Sequence, residues 1–143
     1  MIENSMIVND SMPEYTVERI SDNLNRQKKS LNGARVLQLG VAYKNDIDDY
    51  RESPAIIVGE LLRKEGCFVD YFDPWVSKYK HDGKSYESLN EINPEIIKQY
   101  DIVVVTTAHS NVDYEMVCLN AKSIFDCKNV TKNVKAREKL EVL

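Results

Sequence analysis

Between an apolar run and a Ser-Pro pair, this sequence sets two cations among four carboxylates. Lys44 and Arg51 stand with Asp46, Asp48, Asp49 and Glu52, just ahead of Ser53-Pro54. Ser-Pro reads as the cap and first position of a helix. Helix N-termini attract anions through N–H groups that lack intrahelical partners and through the macrodipole, and one Arg can hold two phosphate oxygens at once. A small ligand carrying phosphate is the chemistry such a loop could bind, with the carboxylates orienting the cations. The same residues also read as a solvated charged loop whose Asp side chains form turns.

The remaining chemistry-bearing residues are sparse. Cys67, Cys118 and Cys127 are odd in number, widely spaced and never in a CxxC pair, and His81 and His109 are the only histidines. No zinc spacing exists, so no metal site is expected, and the cysteines read as reduced, cytosolic thiols. Cys127 follows an apolar run and is expected to pack in the core or end a strand.

The elements that must position these residues can be read along the chain. Ser11-Met12-Pro13-Glu14 has the form of a capping box, and Val17, Ile20 and Leu24 then recur on one helical face. A helix is expected from about Met12 to Lys29, ending before Asn32-Gly33, with the first ten residues frayed or belonging to something missing. Arg35–Gly40 reads as a strand, Pro54–Gly66 as a buried helix with Gly66 as its stop, and Cys67–Phe72 as a strand ended by Asp73-Pro74. Gly59 is expected to let that helix approach the sheet closely. Residues 75–89 are mixed, with a turn at Asp82-Gly83. A short helix (94–100), a β-branched strand (102–105), a helix (113–121) and a strand (123–126) follow. Leu140, Val142 and Leu143 could add an edge strand or pack on the surface. This alternation predicts an α/β fold, a Rossmann-like parallel sheet with helices on both faces, preceded by part of a long helix. Residues 1–32 would be a tail and the end of a linker helix, and residues 33–143 the folded domain.

Open parallel sheets bind ligands outside the carboxyl ends of their strands. The first strand ends at Gly40, so residues 41–53 are the default site. That turn lacks the GxGxxG fingerprint, which makes a self-sufficient dinucleotide site improbable. The chain has 143 residues, 43% hydrophobic and 29% charged, enough for one core. Its 19 Lys+Arg against 23 Asp+Glu give a net charge of −4, which argues against a nucleic-acid partner. No apolar run approaches the ~18 to 20 residues needed to span a bilayer, and Met1 opens nothing like a signal peptide; a cytoplasmic domain with no membrane partner is expected.

The run Gly40-Val41-Ala42-Tyr43-Lys44-Asn45-Asp46-Ile47-Asp48-Asp49-Tyr50-Arg51-Glu52-Ser53-Pro54-Ala55 resembles the signature loop of the C-terminal domain of the UDP-glucose/GDP-mannose dehydrogenase family. Asn9–Pro13, Asp73-Pro74, Asp101–His109 and Asp126–Asn129 resemble, in order, the family's entry to its central helix, second-strand end, third strand and closing motif. The resemblance implies a parent enzyme that oxidises the C6 alcohol of a nucleotide sugar to the uronic acid with two NAD per turnover, in polysaccharide precursor synthesis. An N-terminal NAD-binding domain and a central dimerisation domain would precede this chain and carry the nucleophilic Cys. No catalytic residue would lie here, and the parent would be a homo-oligomer.

By position, Tyr43 and Lys44 match the family's pair directed at the UDP-sugar, and Arg51 matches the Arg that reaches the NAD. Lys128 falls where the family usually has an Arg contacting the UDP-sugar; Lys keeps the charge but loses the planar fork. Thr107-Ala108-His109 departs from members that carry an acid before the His, and His109 is expected to be a capping or buried residue. The loop resembles the branch acting on UDP-N-acetylhexosamines, with N-acetylglucosamine favoured and N-acetylmannosamine or glucose as alternatives. Two readings from other classes compete. In a phospho-receiver, Asp48-Asp49 would be the acidic pair, but that pair lies several residues beyond the first strand, and Asp73 sits on the second strand where a phosphoacceptor should follow the third. In an assembly domain, the apolar helix 12–24 would self-associate.

Overall fold

The computed structural model describes residues 2–42, 49–51, 53–128 and 140–142. A 25-residue helix, α1 (Ile2–Arg26), leads into β1 (Arg35–Leu39), α2 (Pro54–Lys64) and β2 (Phe68–Phe72). A hairpin follows, β3 (Lys78–His81) and β4 (Lys84–Glu87), then α3 (Pro94–Ile97), β5 (Ile102–Val105), α4 (Tyr114–Asn120), β6 (Ile124–Asp126) and β7 (Leu140–Val142). Five strands form one sheet in the order β2-β1-β5-β6-β7, all neighbours parallel. The chain steps outward from β1 to β2, then crosses back to β5 on the other side, which makes the β1/β5 boundary the switch point of a doubly wound sheet. The tail thus adds an edge strand, β7.

Period-two alternation divides the sheet between two layers. Val36, Ile102, Val104 and Phe125 face α1 and α2, where they meet Val17, Ile20, Leu24, Val58 and Leu62. Leu37, Leu39, Val103, Val105 and Ile124 face α3 and α4. Ile20 and Leu24 are fully buried, so this part of the apolar stripe of α1 lies against its own domain. The start of β6 is bolted to the same helix, with Ser123 Oγ donating to Asn23 Oδ1 at 2.7 Å. At Gly59, a Cβ would stand 3.0 Å from Gln38 Oε1, confirming the close approach of α2 to β1.

The start of α1 corrects the sequence reading. The helix begins at Ile2, and Pro13 lies inside it. A Ser-x-x-Glu box caps a helix only where the residues before it leave helical dihedrals; here they are helical, and Pro13 sits in the interior, where a proline forgoes one intrahelical donor and crowds the preceding turn. The stop also differs. Lys28 adopts φ +62°, Lys29 N donates to Leu24 O and Lys28 N to Asn25 O. That is a Schellman turn with lysine in the left-handed position, four residues before Asn32-Gly33. Gly66 ends α2 as expected: φ is +93°, with Cys67 N donating to Leu62 O and Gly66 N to Arg63 O. The Asp82-Gly83 turn joins β3 to β4, both residues with positive φ, as a two-residue type I′ hairpin requires.

Candidate functional site

Because every strand of the sheet is parallel, the residues after Leu39, Phe72, Val105 and Asp126 emerge on one edge. At the switch point Gly40 has φ +87°, and a Cβ there would sit 2.4 Å from Thr107 Cβ, 2.7 Å from its carbonyl oxygen and 2.9 Å from its Cα. Thr106 N and Thr107 N both donate to Leu39 O, and Thr106 Oγ1 donates to Gly40 O. In a dinucleotide site the first glycine turn leaves backbone open to a pyrophosphate. Here the side of Gly40 that a Cβ would occupy is taken by Thr107, so the first-strand turn offers no open glycine cradle that fits the pyrophosphate of NAD.

Asp73, at the end of β2, organises the edge. It is 2% exposed. Its Oδ2 accepts from Val41 N at 2.8 Å, Ala42 N at 3.1 Å and His109 Nε2 at 2.9 Å. Its Oδ1 accepts from Trp75 N at 2.8 Å and Val76 N at 3.1 Å. One carboxylate therefore joins the loops after β1, β2 and β5. Burial works to raise its pKa, but the His109 bond, then the Val41 and Trp75 N–H bonds, outweigh it and hold the carboxyl below the usual range. His109 is 1% exposed, so the expectation of a buried histidine holds. The sequence presents Asp73 as a strand stop and as a misplaced phosphoacceptor; the available signal was that Asp73 and His109 both follow strands on the carboxyl edge.

This geometry predicts an acid limb. A depressed folded pKa stabilises the native state above the ordinary value of 3.8, and the contribution is lost as pH falls through the folded value. Urea midpoints of the wild-type chain should therefore drop below about pH 4. Asp73→Asn should be less stable at neutral pH and show a shallower acid limb; parallel limbs would show that Asp73 does not contribute.

The expected ligand-facing residues distribute as follows. Tyr43, Lys44, Asp46, Asp48 and Glu52 lie outside the described residues. Arg51 is described, with its side chain 84% exposed and its Nε 3.2 Å from Asp49 Oδ1. The Arg51 bond holds Asp49 below the usual carboxylate range. Lys128 follows β6 on the same edge of the sheet, its side chain exposed and its backbone N donating to Asp126 Oδ1 at 2.9 Å. The limb that carries Arg51 is anchored twice. Tyr50 packs on Tyr79, ring centroids 5.7 Å apart, within a cluster completed by Tyr71 and Tyr86. Ser53 occupies the cap position of α2, but its Oγ donates to Ala42 O at 3.2 Å and does not cap the helix. Tyr50, Arg51, Ser53, Ile56, Lys80 and His81 border a cleft of about 290 Å³.

Burial pushes Cys67 up to about 11 and Cys127 up to about 12, and Cys118 is buried on α4. None forms a disulfide, and at neutral pH neither Cys67 nor Cys127 offers a thiolate. Among the described residues no cluster of three metal-ligating side chains occurs.

Comparison with known proteins draws these features together. The UDP-glucose/GDP-mannose dehydrogenase family, UDP binding domain, matches residues 37–133, from β1 through the segment after β6. The chain belongs to this family. Its UDP-binding domain is the C-terminal one, and the parallel α/β architecture follows. A UDP-N-acetyl-D-mannosamine dehydrogenase from Methanococcus maripaludis is 29% identical over 134 residues, covering 88% of this chain and 29% of the relative. A UDP-N-acetyl-D-glucosamine 6-dehydrogenase from Pseudomonas aeruginosa is 28% identical over 103 residues, covering 72% of this chain and 24% of the relative. The crystal structure of an NDP-N-acetyl-D-galactosaminuronic acid dehydrogenase from Methanosarcina mazei superposes with a TM-score of 0.77 at 26% identity, covering 95% of this chain and 29% of that one. The UDP-binding domain described here thus spans less than a third of the length of these relatives.

Proposed function

We propose that this UDP-binding domain is the nucleotide-sugar-holding part of an NAD-dependent UDP-sugar 6-dehydrogenase, acting on a UDP-N-acetylhexosamine. The observation that carries the reading is the family match over residues 37–133, a span that takes in the loop after β1, Arg51 and Lys128. Tyr43 and Lys44 would hold the UDP-sugar from the β1 loop and Lys128 from the β6 end. Exposed Arg51 would reach an NAD held by a preceding domain, since Gly40 leaves no cradle for it here. NAD would supply the hydride acceptor, and this chain's own residues bind and orient the sugar nucleotide. With Cys67 and Cys127 protonated, the chain alone supplies no thiolate from either. Relatives named for N-acetylmannosamine and N-acetylglucosamine both support the hexosamine branch; of the two sugars the loop favours N-acetylglucosamine.

The test is NADH formation from UDP-N-acetylglucosamine, UDP-N-acetylmannosamine and UDP-glucose. The domain joined to its preceding domains should reduce NAD with an N-acetylhexosamine, and the 143-residue chain with none of the three. NADH made by the isolated chain would overturn the reading, and exclusive use of UDP-glucose would overturn the branch.

Arg51→Ala should weaken NAD in that enzyme and leave UDP-sugar affinity within about twofold, because exposed ion pairs contribute little to the fold. A lower melting temperature with unchanged NAD affinity would make the Asp49–Arg51 pair structural instead.

A further inference from the structure

We infer that Asp73 and His109 are positioning residues for nucleotide-sugar binding: they fix the backbone of Val41 and Ala42, the two residues that precede Tyr43 and Lys44 in the sequence. The inference rests on the functional reading above. A loop leaving a strand ordinarily satisfies its polar groups with water or with its own turn. Here side chains from three other elements take them. Val41 N and Ala42 N donate to Asp73 Oδ2. Ala42 O accepts from Thr107 Oγ1 at 2.8 Å and from Ser53 Oγ at 3.2 Å. Gly40 O accepts from Thr106 Oγ1. The two residues before Tyr43 are thus held on both N–H groups and on the last carbonyl, at a site where Val41 is fully buried and Ala42 2% exposed.

His109 completes the clamp. Its Nε2–H donates to the same oxygen that receives Val41 N and Ala42 N, so the ring fixes where that oxygen sits. His109 is itself held from the start of α4, where Tyr114 Oη donates to His109 O at 2.9 Å. A purely structural pair would matter to the whole fold alike. A positioning pair should matter most at Val41 and Ala42 and for ligand affinity, because misplacing a binding group by about 1 Å is enough to lose contact.

The 143-residue chain can be tested directly, with UDP-N-acetylglucosamine as the probe, its affinity followed by chemical-shift titration and backbone order by amide hydrogen exchange. His109→Leu should weaken UDP-N-acetylglucosamine at least about tenfold and speed exchange at Val41 and Ala42, while Val103 and Val104 in β5 keep wild-type rates. His109→Gln, which returns an N–H near the position of Nε2, should restore both. Thr107→Val, an isosteric change that removes only the donor to Ala42 O, should weaken binding in the same direction and serves as the readout if His109→Leu does not fold. Wild-type affinity in His109→Leu or Thr107→Val would overturn the inference, as would exchange rising at Val103 and Val104 in step with Val41. A wild-type chain that leaves UDP-N-acetylglucosamine unbound would overturn the functional reading, and this one with it.

Discussion

Gly40→Ala should lower the melting temperature by about 10–15 °C, and Gly40→Val should not fold. Two penalties coincide at this residue. Its φ of +87° belongs to the left-handed side, where an L side chain costs about 1–2 kcal/mol. Its missing side chain is also where Thr107 passes: an added Cβ would lie 2.7 Å from a carbonyl oxygen and 2.9 Å from a Cα. Those are backbone atoms, so no rotamer change relieves the overlap. The strand end must move, at a further cost of about 1–3 kcal/mol. Moving it would break the Thr106 and Thr107 bonds to Leu39 O that tie β1 to the β5 loop. Against a typical stability of about 5–15 kcal/mol this is a large fraction. Gly33 supplies the control: its φ is also +87°, but nothing lies within 4 Å of an added Cβ. Gly33→Ala should therefore show the strain alone, a shift of a few degrees. Equal shifts for the two alanines would mean that the Thr107 contact carries no weight.

The same pair of glycines shows what the sequence could and could not disclose. Both read as strand boundaries, correctly, because local punctuation is a local property. That Gly40 admits Thr107, 67 residues later, depends on β1 lying beside β5, and no local pattern encodes that neighbour. The parallel sheet was legible because Ile102-Val103-Val104-Val105 is apolar on both faces, as a strand between two helical layers must be. The β3–β4 hairpin was not, although its Asp82-Gly83 turn was. Of its eight residues only Tyr79 is buried, so the alternation that marks a strand has almost nothing to act on. The start of α1 was misread for the opposite reason: a complete local motif was overruled by the helix around it. At the site, the charged loop announced itself by residue type, and Lys128 only through its position in the family resemblance. Asp73 and His109 did not, since an Asp-Pro and a lone His carry their ordinary local meanings until the topology brings them within 2.9 Å.

Lys44→Ala should weaken the parent enzyme's hold on its nucleotide sugar ~10- to 150-fold and leave NAD affinity largely unchanged. The magnitude follows from the bond type: a charge-assisted donor to a sugar or phosphate oxygen contributes about 1.5–3 kcal/mol. The separation from NAD follows from the two limbs of the loop. Lys44 stands two residues beyond Ala42, whose backbone is clamped by Asp73, Thr107 and Ser53. Arg51 leaves from the other limb, beside the Tyr50–Tyr79 contact and the Asp49 carboxylate. The clamp uses backbone groups of residues 41 and 42, so truncating Lys44 leaves it intact and the melting temperature should hold. A loss of stability would mark Lys44 as part of the fold. Lys128→Ala should move the same affinity by less, since an ammonium at the β6 end acts as a point charge without the two-pronged geometry of Arg. Lys128→Arg should then tighten the sugar nucleotide if that end meets a carbonyl or phosphate edge-on. Equal UDP-sugar affinity in Lys44→Ala and wild type would remove the β1 loop from the binding site, whatever Lys128 does.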